Sequence, residues 1–196
     1  PEGRSASKKL RVNEQGEVVY GIGAIKGVGE AAIEDLLQER KENGPFKGLY
    51  DLCKRVDLRK VNKRVFEALI RGGAFDVFNE NRASHMAELP TALKVAERHV
   101  KMAEVGQNDL FGLAVNAETS EDEVKDYSAN VPPWSEKERL AFEKLALGLF
   151  LTGHPIDECS AELQNITHGN IAHILASVEG SRGKSDTRLA GLLIGM

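Results

Sequence analysis

The chain has 196 residues, of which 41% are hydrophobic and 29% charged, and its formal net charge is −4. This composition suits one larger domain or a small domain with appendages. It excludes a membrane protein, because no run approaches the roughly 18 apolar residues that a membrane helix needs, and we recognise no signal peptide. Cys53 and Cys159 lack metal-ligand or disulfide spacing, so we expect free thiols in the cytoplasm and no metal site.

Charge is distributed unevenly along the chain. Residues 1–104 hold 19 basic and 16 acidic side chains, whereas residues 105–196 hold 7 and 14. Residues 54–71 alone carry seven basic and two acidic side chains, the basic ones being Lys54, Arg55, Arg59, Lys60, Lys63, Arg64 and Arg71. This local excess suits a polyanionic partner, although a solvated helix face is the ordinary explanation for one isolated basic cluster.

The first predicted elements lead into a glycine-rich turn. Residues 1–9 are polar and patternless, which is typical of a frayed end or of sequence foreign to the domain. Residues 11–20 predict a short β-hairpin. A short apolar helical turn then runs into Gly27, Val28 and Gly29, directly ahead of a long amphipathic helix. Glycine lets this turn bring its backbone close to a ligand, and the unpaired N–H groups that open the helix favour an anion beside Lys26.

Three interpretations of this turn remain open. The first is a helix-hairpin-helix that holds the backbone of a nucleic acid. The second is a nucleotide-binding turn fed by a strand at residues 17–20, although the G-x-G-x-x-G fingerprint places Lys26 at its sixth position. The third is a structural glycine turn without a ligand. The helical pattern after the turn favours the first interpretation, because a dinucleotide fold would continue into a second apolar strand.

Helices dominate the next 75 residues. Apolar spacing predicts helices over 30–41, 49–56, 61–70 and 81–104, the last with a kink near Pro90. A second glycine turn, with Gly72 and Gly73, joins the last two. Residues 20–104 therefore predict a duplicated helix–turn–helix, whose two turns would each hold one strand of a duplex. The second turn lacks an apolar residue between its glycines and is the weaker site of the two.

Residues 105–115 differ in kind from the helices around them. Leu110 and Phe111 are adjacent apolar residues on a glycine-flanked segment, preceded by Gln107 and Asp109. Such a segment can dock as an extended peptide in the pocket of a partner, or anchor the preceding helix to the core.

The remaining residues predict a linker and a small α+β segment. Residues 116–134 are acidic and end in two prolines, which indicates a linker. Ser135 and Glu138 predict a capping box on a helix that ends near Leu147. Residues 148–153 predict a buried strand, residues 171–176 a short helix, and residues 188–195 the first strand of a sheet that the chain does not complete. We therefore expect a fragment of a longer protein.

These pieces, in this order, resemble the alpha subunits of bacterial replicative DNA polymerases of the DNA polymerase III family. Residues 20–29 are similar to the entry of the family's tandem helix-hairpin-helix domain, and residues 61–64 and 73–76 to its second unit. Residues 107–111 occupy the place of its sliding-clamp-binding peptide. Residues 149–155 resemble the approach to its OB domain, whose first strand would be 188–195. Four motifs in family order cover about 145 residues.

The resemblance implies a mainly α fold: an N-terminal segment over 1–19, a tandem helix-hairpin-helix domain over 20–104, a clamp-binding peptide over 105–115, a linker over 116–134, and an α+β segment over 135–187 that leads to a truncated OB strand over 188–196. It implies DNA-binding residues at Lys26, Gly27, Val28, Gly29, Lys63, Arg64, Gly72 and Gly73. It implies clamp-binding residues at Gln107, Asp109, Leu110 and Phe111.

The resemblance also implies non-sequence-specific binding of the primer–template duplex, attachment to the sliding clamp beta subunit, and contact with other subunits of the replicase. The family's catalytic aspartates and their Mg lie upstream and have no counterpart motif here, so we expect this segment to hold no cofactor and not to polymerise. A stand-alone repair or junction-binding protein is the alternative. A base-excision glycosylase, which would use Asp51 as its catalytic acid, is a more remote one.

Overall fold

The computed structural model describes residues 11–12, 14–16, 18–78, 81–106, 131–178, 186–191 and 193, and is mainly helical. Contacts divide the chain into two units, the first ending at Leu149 and the second beginning at Phe150. The last helix of the first unit, which begins after Ser135, therefore lies with the helices before it. The predicted segment 135–187 groups this helix instead with the residues that follow.

The first unit opens with a two-stranded antiparallel hairpin and continues with five helices among its described residues. The strands are β1 (Arg11–Val12) and β2 (Val18–Val19), with Arg11 opposite Val19. A 3-10 turn (Ile22–Ala24) follows, and a second 3-10 turn (Asp76–Phe78) precedes the fourth helix. The helices are α1 (Glu30–Asn43), α2 (Leu49–Arg55), α3 (Lys63–Arg71), α4 (Arg82–Gly106) and α5 (Glu136–Leu147).

Each predicted helix of the first unit is confirmed to within three residues at either end. The apolar stripes of α2 and α3 pack on α4, and α3 also packs on α5. Phe66, Ile70 and Leu89 are fully buried where these helices meet. Cys53 lies in the same core, and burial raises the pKa of its thiol to about 12. Cys53 therefore contributes to packing in the core.

Two local signals of the sequence lie in these helices. Pro90 lies inside α4, which continues through it as one helix, and the kink expected there stays a prediction. Ser135 caps α5: its hydroxyl accepts from the N–H of Glu138, and the Glu138 carboxylate accepts from the N–H of Ser135 at 3.0 Å. The capping box is therefore confirmed, and it sets where α5 begins.

The second unit contains two short helices among its described residues, α6 (Ser160–Ile166) and α7 (Ile171–Val178), after a 3-10 turn (Asp157–Cys159). The predicted helix over 171–176 is confirmed as α7. Residues 157–166 carried no prediction. His154 has a structural role at the entry of this unit, since its N–H donates to Asp157 Oδ2 at 2.8 Å and its Nδ1 accepts from the N–H of Ile156.

One predicted strand is wrong, and a second stays a prediction. Residues 148–153 bend instead of extending, and Leu149 and Leu151 are exposed. Gly148 explains the bend, because it ends α5 in a left-handed conformation with φ +81°. The strand predicted over 188–195 stays a prediction, because it was expected without the rest of its sheet, and the described residues 188–191 and 193 pair with no neighbouring strand. A continuous apolar run predicts a strand only where a partner strand accepts its hydrogen bonds.

Candidate nucleic-acid interface

The first glycine turn presents its glycines outward because its apolar residues point inward. Ile25 and Val28 are buried in the core, on either side of Gly27. The N–H of Val28 donates to the carbonyl of Ile25 at 3.2 Å, which closes the turn. Gly27 takes φ +87°, a conformation that side chains disfavour. The turn is thus packed against the core on one side and exposes its backbone to solvent on the other.

The exposed backbone leaves two N–H groups open. Among the described residues, no oxygen accepts a hydrogen bond from the N–H of Gly27 or Gly29. A Cβ at either position would meet no atom within 4 Å, so the space in front of both glycines is open. Gly29 is also the N-cap of α1 and provides no side-chain cap. Open amides at an uncapped helix start form an anion site.

Lys26 lies beside this site and has a second contact. Its side chain is exposed, and its Nζ lies 3.2 Å from the point that a Cβ on Gly148 would occupy, at the end of α5. Its N–H donates to the carbonyl of Ala146 at 2.8 Å. The Lys26 ammonium therefore faces the negative end of the α5 dipole, and the backbone of Lys26 adjoins the open turn.

The second glycine turn is closed by the protein itself. The N–H groups of Gly72, Gly73 and Ala74 donate to the carbonyls of Ala68, Ile70 and Leu69 at 2.9, 3.0 and 2.9 Å. A Cβ on Gly72 would lie 3.3 Å from Ile25 Cδ1 and 3.4 Å from Leu147 Cδ2, so this glycine is a packing contact. The geometry does not support donation of either glycine amide to a phosphate.

The side chain of Arg82 fills the second turn. Gly73 has φ +76°, and a Cβ there would collide with the Arg82 guanidinium. Arg82 donates to both oxygens of Asp76 at 2.8 Å and to Glu143 Oε1 at 2.8 Å. Burial alone would lower the pKa of Arg82, but hydrogen bonds to Asp76 and Glu143 and their negative charges raise it above its ordinary value. Arg82 remains charged inside the fold.

The basic cluster over residues 54–71 separates into internal and exposed members. Arg55 is internal: it pairs with Glu39 and Asp51, and its guanidinium lies 4.5 Å from the Phe46 ring centroid. The more exposed Arg59, Lys60 and Lys63 approach Asp57, Asp35 and Glu67, the last of these contacts at 3.8 Å. Among the described residues no carboxylate pairs with Arg64. Only part of the cluster is therefore available to a ligand.

Lys63 and Arg64 lie at the start of α3, where Asn62 already accepts the N–H groups of Arg64 and Val65 at 3.0 and 3.3 Å. Any anion contact there would involve the side chains. Gly72, at the other end of α3, meets Ile25 of the first turn. A nine-residue helix is about 13 Å long, so the two basic side chains begin about 13 Å from that contact.

Two alternatives for the first turn lose their structural basis. β2 pairs only antiparallel with β1 among the described residues, so no parallel dinucleotide-binding sheet feeds the turn. Asp51 accepts from the N–H of Lys47 at 2.9 Å and from Arg55 at 3.0 Å, which makes it a helix-start carboxylate, unlike the free acid of a glycosylase.

Sequence reasoning missed Arg82, Glu143 and Tyr20, whose hydrogen bonds join α4 and the residues before the first turn to α5. Glu143 shares a helix face with Leu140 and Leu147 and is completely buried. A charged residue on an apolar face was the available signal, although its partner is 61 positions away. The predicted clamp-binding residues Gln107, Asp109, Leu110 and Phe111 lie outside the described residues.

Neither a metal cluster nor a membrane span is found in the described part of the chain. No three His, Cys, Asp or Glu side chains there lie close enough to hold a metal ion. None of the described helices is long and apolar enough to cross a bilayer.

The first turn and the helices after it lie in the part of the chain that matches one class of motif. Residues 4–85 match the helix-hairpin-helix motif family, which covers the first turn, α1 to α3 and the second turn.

The whole chain is similar to one particular protein of this class. It is 46% identical over 194 residues to DNA polymerase III subunit alpha of Pasteurella multocida and 44% identical to that of Escherichia coli K12, in each case covering 99% of this chain and 16% of the relative. The Pseudomonas aeruginosa subunit is 37% identical over 211 residues and is matched over 17% of its length. The chain is therefore homologous to one segment of DNA polymerase III subunit alpha, and the resemblance noted from its motifs is confirmed.

Proposed function

We propose that this chain binds the phosphate backbone of double-stranded DNA without reading its bases, as part of a bacterial replicative DNA polymerase. The observation that carries the proposal is the pair of open amides, Gly27 and Gly29, at the uncapped start of α1. The similarity to polymerase alpha subunits supports a primer–template duplex as the source of the phosphate.

Each residue of the proposed interface has a distinct part. The N–H groups of Gly27 and Gly29 donate to phosphate oxygens, Val28 holds the turn to the core, and the Lys26 ammonium adds positive charge. Lys63 and Arg64, at the far end of α3 from the contact between Gly72 and Ile25, meet other phosphates. Phosphate contacts fix position and carry no base sequence, which suits a replicase.

Fluorescence anisotropy with labelled duplexes of unrelated sequence tests this proposal. If about four to six phosphates are neutralised, the slope of log affinity against log salt should be about −4 to −5. Affinities should agree between the sequences. A flat salt response, or affinity confined to one base sequence, would contradict the proposal.

The substitution Gly29→Ala tests the open amides directly. Its φ of −73° suits alanine and nothing in the protein lies within 4 Å of the new Cβ, so the fold should tolerate it. The methyl group would block the approach of the phosphate, and we expect affinity to fall at least about tenfold on every duplex.

The matched control is Gly48→Ala. Gly48 is also a helix N-cap without a side-chain cap and also has open space around its Cβ position. The Gly48→Ala substitution replaces a glycine N-cap of α2 by alanine, as Gly29→Ala does for α1, and it should leave DNA affinity unchanged. Equal affinities of the two variants would refute the role of the first turn.

We also propose that residues 107–111 attach the chain to the sliding clamp beta subunit, where Leu110 and Phe111 would fill an apolar pocket and Gln107 and Asp109 would bond at its rim. A pull-down with the clamp tests this. It compares a double variant that carries both Leu110→Ala and Phe111→Ala with a control double variant that carries both Leu113→Ala and Val115→Ala. Equal recovery of both double variants would refute the attachment.

Attachment to both DNA and clamp would lengthen the residence of the polymerase on its template, since the second contact becomes intramolecular. Within the replicase this segment would contribute attachment, beside other holoenzyme subunits, while polymerisation and its Mg belong to upstream parts of the whole protein.

A further inference from the structure

The first glycine turn bonds the C-terminal end of α5. The N–H of Lys26 donates to the carbonyl of Ala146 at 2.8 Å, and the Tyr20 hydroxyl donates to the carbonyl of Leu147 at 3.0 Å. The last carbonyls of a helix have no partner within the helix. Lys26 at the turn and Tyr20, seven residues before Gly27, supply two of those partners, so the position of this segment and the position of the helix end are coupled.

The middle of α5 is bonded to α4 and packed on α3. Glu143 is completely buried and accepts from Arg82 Nη1 at 2.8 Å. The guanidinium carbon of Arg71 lies 5.5 Å from the centroid of the Phe142 ring. A buried carboxylate without its cation is costly, so Glu143 favours the arrangement in which α5 stays against Arg82.

The residues that lead into α5 are held to the start of α4. The Asn81 side chain donates to the carbonyl of Val131 at 3.1 Å, and its oxygen accepts from the N–H of Ser84 at 2.8 Å. One asparagine thus holds both the segment before α5 and the first turn of α4. α5 is therefore attached at its approach, its middle and its end.

We infer that α5 is the positioning helix of the interface, and that Tyr20 and Glu143 are positioning residues that fix the first glycine turn relative to Lys63 and Arg64. This inference rests on the proposed function, since it concerns how the open amides and the two basic side chains meet one duplex together. Neither Tyr20 nor Glu143 contacts DNA. They fix the distance between the first glycine turn and the two basic side chains, and this distance must match the spacing of phosphates on the DNA duplex.

The effect should be moderate, because Ile25 and Val28 also hold the turn. Losing one hydrogen bond of α5 would let the turn shift against α3 without unfolding it. The duplex could then bind either the turn or the basic side chains in good geometry. Binding both at once would strain the protein or the DNA. Affinity should fall by about three- to tenfold, as for the loss of one hydrogen bond.

The test measures duplex affinity and salt dependence for Tyr20→Phe and Glu143→Gln. Tyr20→Phe removes only the hydroxyl bonded to Leu147, and Glu143→Gln keeps the shape but removes the charge. The matched control is Leu145→Ala, since Leu145 is an exposed residue of the same helix. Circular dichroism and urea titration establish that each variant is folded at the assay temperature.

A positioning role predicts weaker binding by folded Tyr20→Phe and Glu143→Gln, with a salt slope shallower by about 1 to 2, since one or two phosphates lose their partners. Leu145→Ala should match the wild type. A merely structural role would lower the urea midpoint and leave the affinity and slope of the folded protein unchanged, and this result would overturn the inference. If Glu143→Gln does not fold, the affinity and salt slope of Tyr20→Phe alone test the inference.

The two proposals fail in different ways. If the wild type shows no salt-dependent duplex binding, the proposed function itself is wrong. If the wild type binds and Gly29→Ala does not, while folded Tyr20→Phe and Glu143→Gln bind like the wild type with an equal slope, only the positioning role of α5 is wrong.

Discussion

The two glycine turns of the first unit look alike in sequence and differ in what occupies the space beside them. In front of Gly27 and Gly29 the space is open to solvent. Beside Gly73 the corresponding space is filled by the guanidinium of Arg82. Glycine serves both turns because it lacks a side chain, but in one turn this leaves the space open to solvent and in the other it makes room for a side chain of the protein itself.

The difference teaches that repetition of a motif does not imply repetition of a site. In the second turn the amides of Gly72 and Gly73 are already bonded, and an arginine held by Asp76 and Glu143 supplies the charge that fills the turn. The second turn therefore acts as a structural support for the first.

The largest expected effect is that of Arg82→Met. This change leaves Glu143 buried without its cation and empties the second turn, and it should lower the free energy of unfolding by about 3–5 kcal/mol. Urea unfolding measures it, with Lys94→Met, at an exposed position of the same helix, as the control. A loss equal to that of the control would show that the second turn is not held by this network.

Gly73→Ala and Gly29→Ala should then have opposite consequences. Gly73→Ala forces alanine to φ +76° and displaces Arg82, which should cost at least about 2 kcal/mol of stability. Gly29→Ala should cost less than about 1 kcal/mol, the loss of a glycine N-cap, while weakening DNA binding. Thermal unfolding measures the stability of both variants, and fluorescence anisotropy measures their DNA affinity. Equal losses of stability in the two variants would contradict this prediction.

The smallest expected effect is on the acid stability of α5, the helix that ends against the first turn. Hydrogen bonds from the Ser135 side chain and backbone lower the pKa of Glu138 in the folded protein. Its stabilisation is therefore fully present above the ordinary value of 4.5 and is lost as pH falls through the lowered folded value.

Glu138→Gln should therefore lower the Tm slightly at neutral pH and not in strong acid. Melting curves of both proteins between about pH 7 and pH 2 measure this difference. A Tm difference that stayed constant across that range would show that the carboxylate charge does not stabilise the cap.

Local patterns in the sequence predicted most of the helical fold, and long-range contacts account for what they missed. Apolar spacing locates α1 to α4, and Ser135 with Glu138 fixes the start of α5, because these signals lie within one or two helical turns. The strand predicted over 148–153 is wrong because Gly148 turns the chain at that point. A short apolar run does not reveal whether a neighbouring strand exists.

The same distinction applies to the candidate site. The first turn was recognisable from Gly27, Val28 and Gly29, since their order alone suggests a tight hairpin before a helix. The sequence ranked the second turn as the weaker site, because no apolar residue separates its glycines. It did not show that this turn is closed, because Arg82 and Glu143 lie 61 positions apart and meet only through packing. Sequence reasoning thus found the open turn and overestimated the closed one.

The missing cap at Gly29 carries a consequence for engineering this domain. Serine or aspartate at this position would cap α1 better than glycine by a few tenths of a kcal/mol. Either side chain would fold over the amides of the proposed phosphate contact, and aspartate would also repel a phosphate. Under the proposed function, helix stability and DNA affinity therefore make opposite demands on this residue, and variants selected for heat resistance alone should lose DNA affinity here.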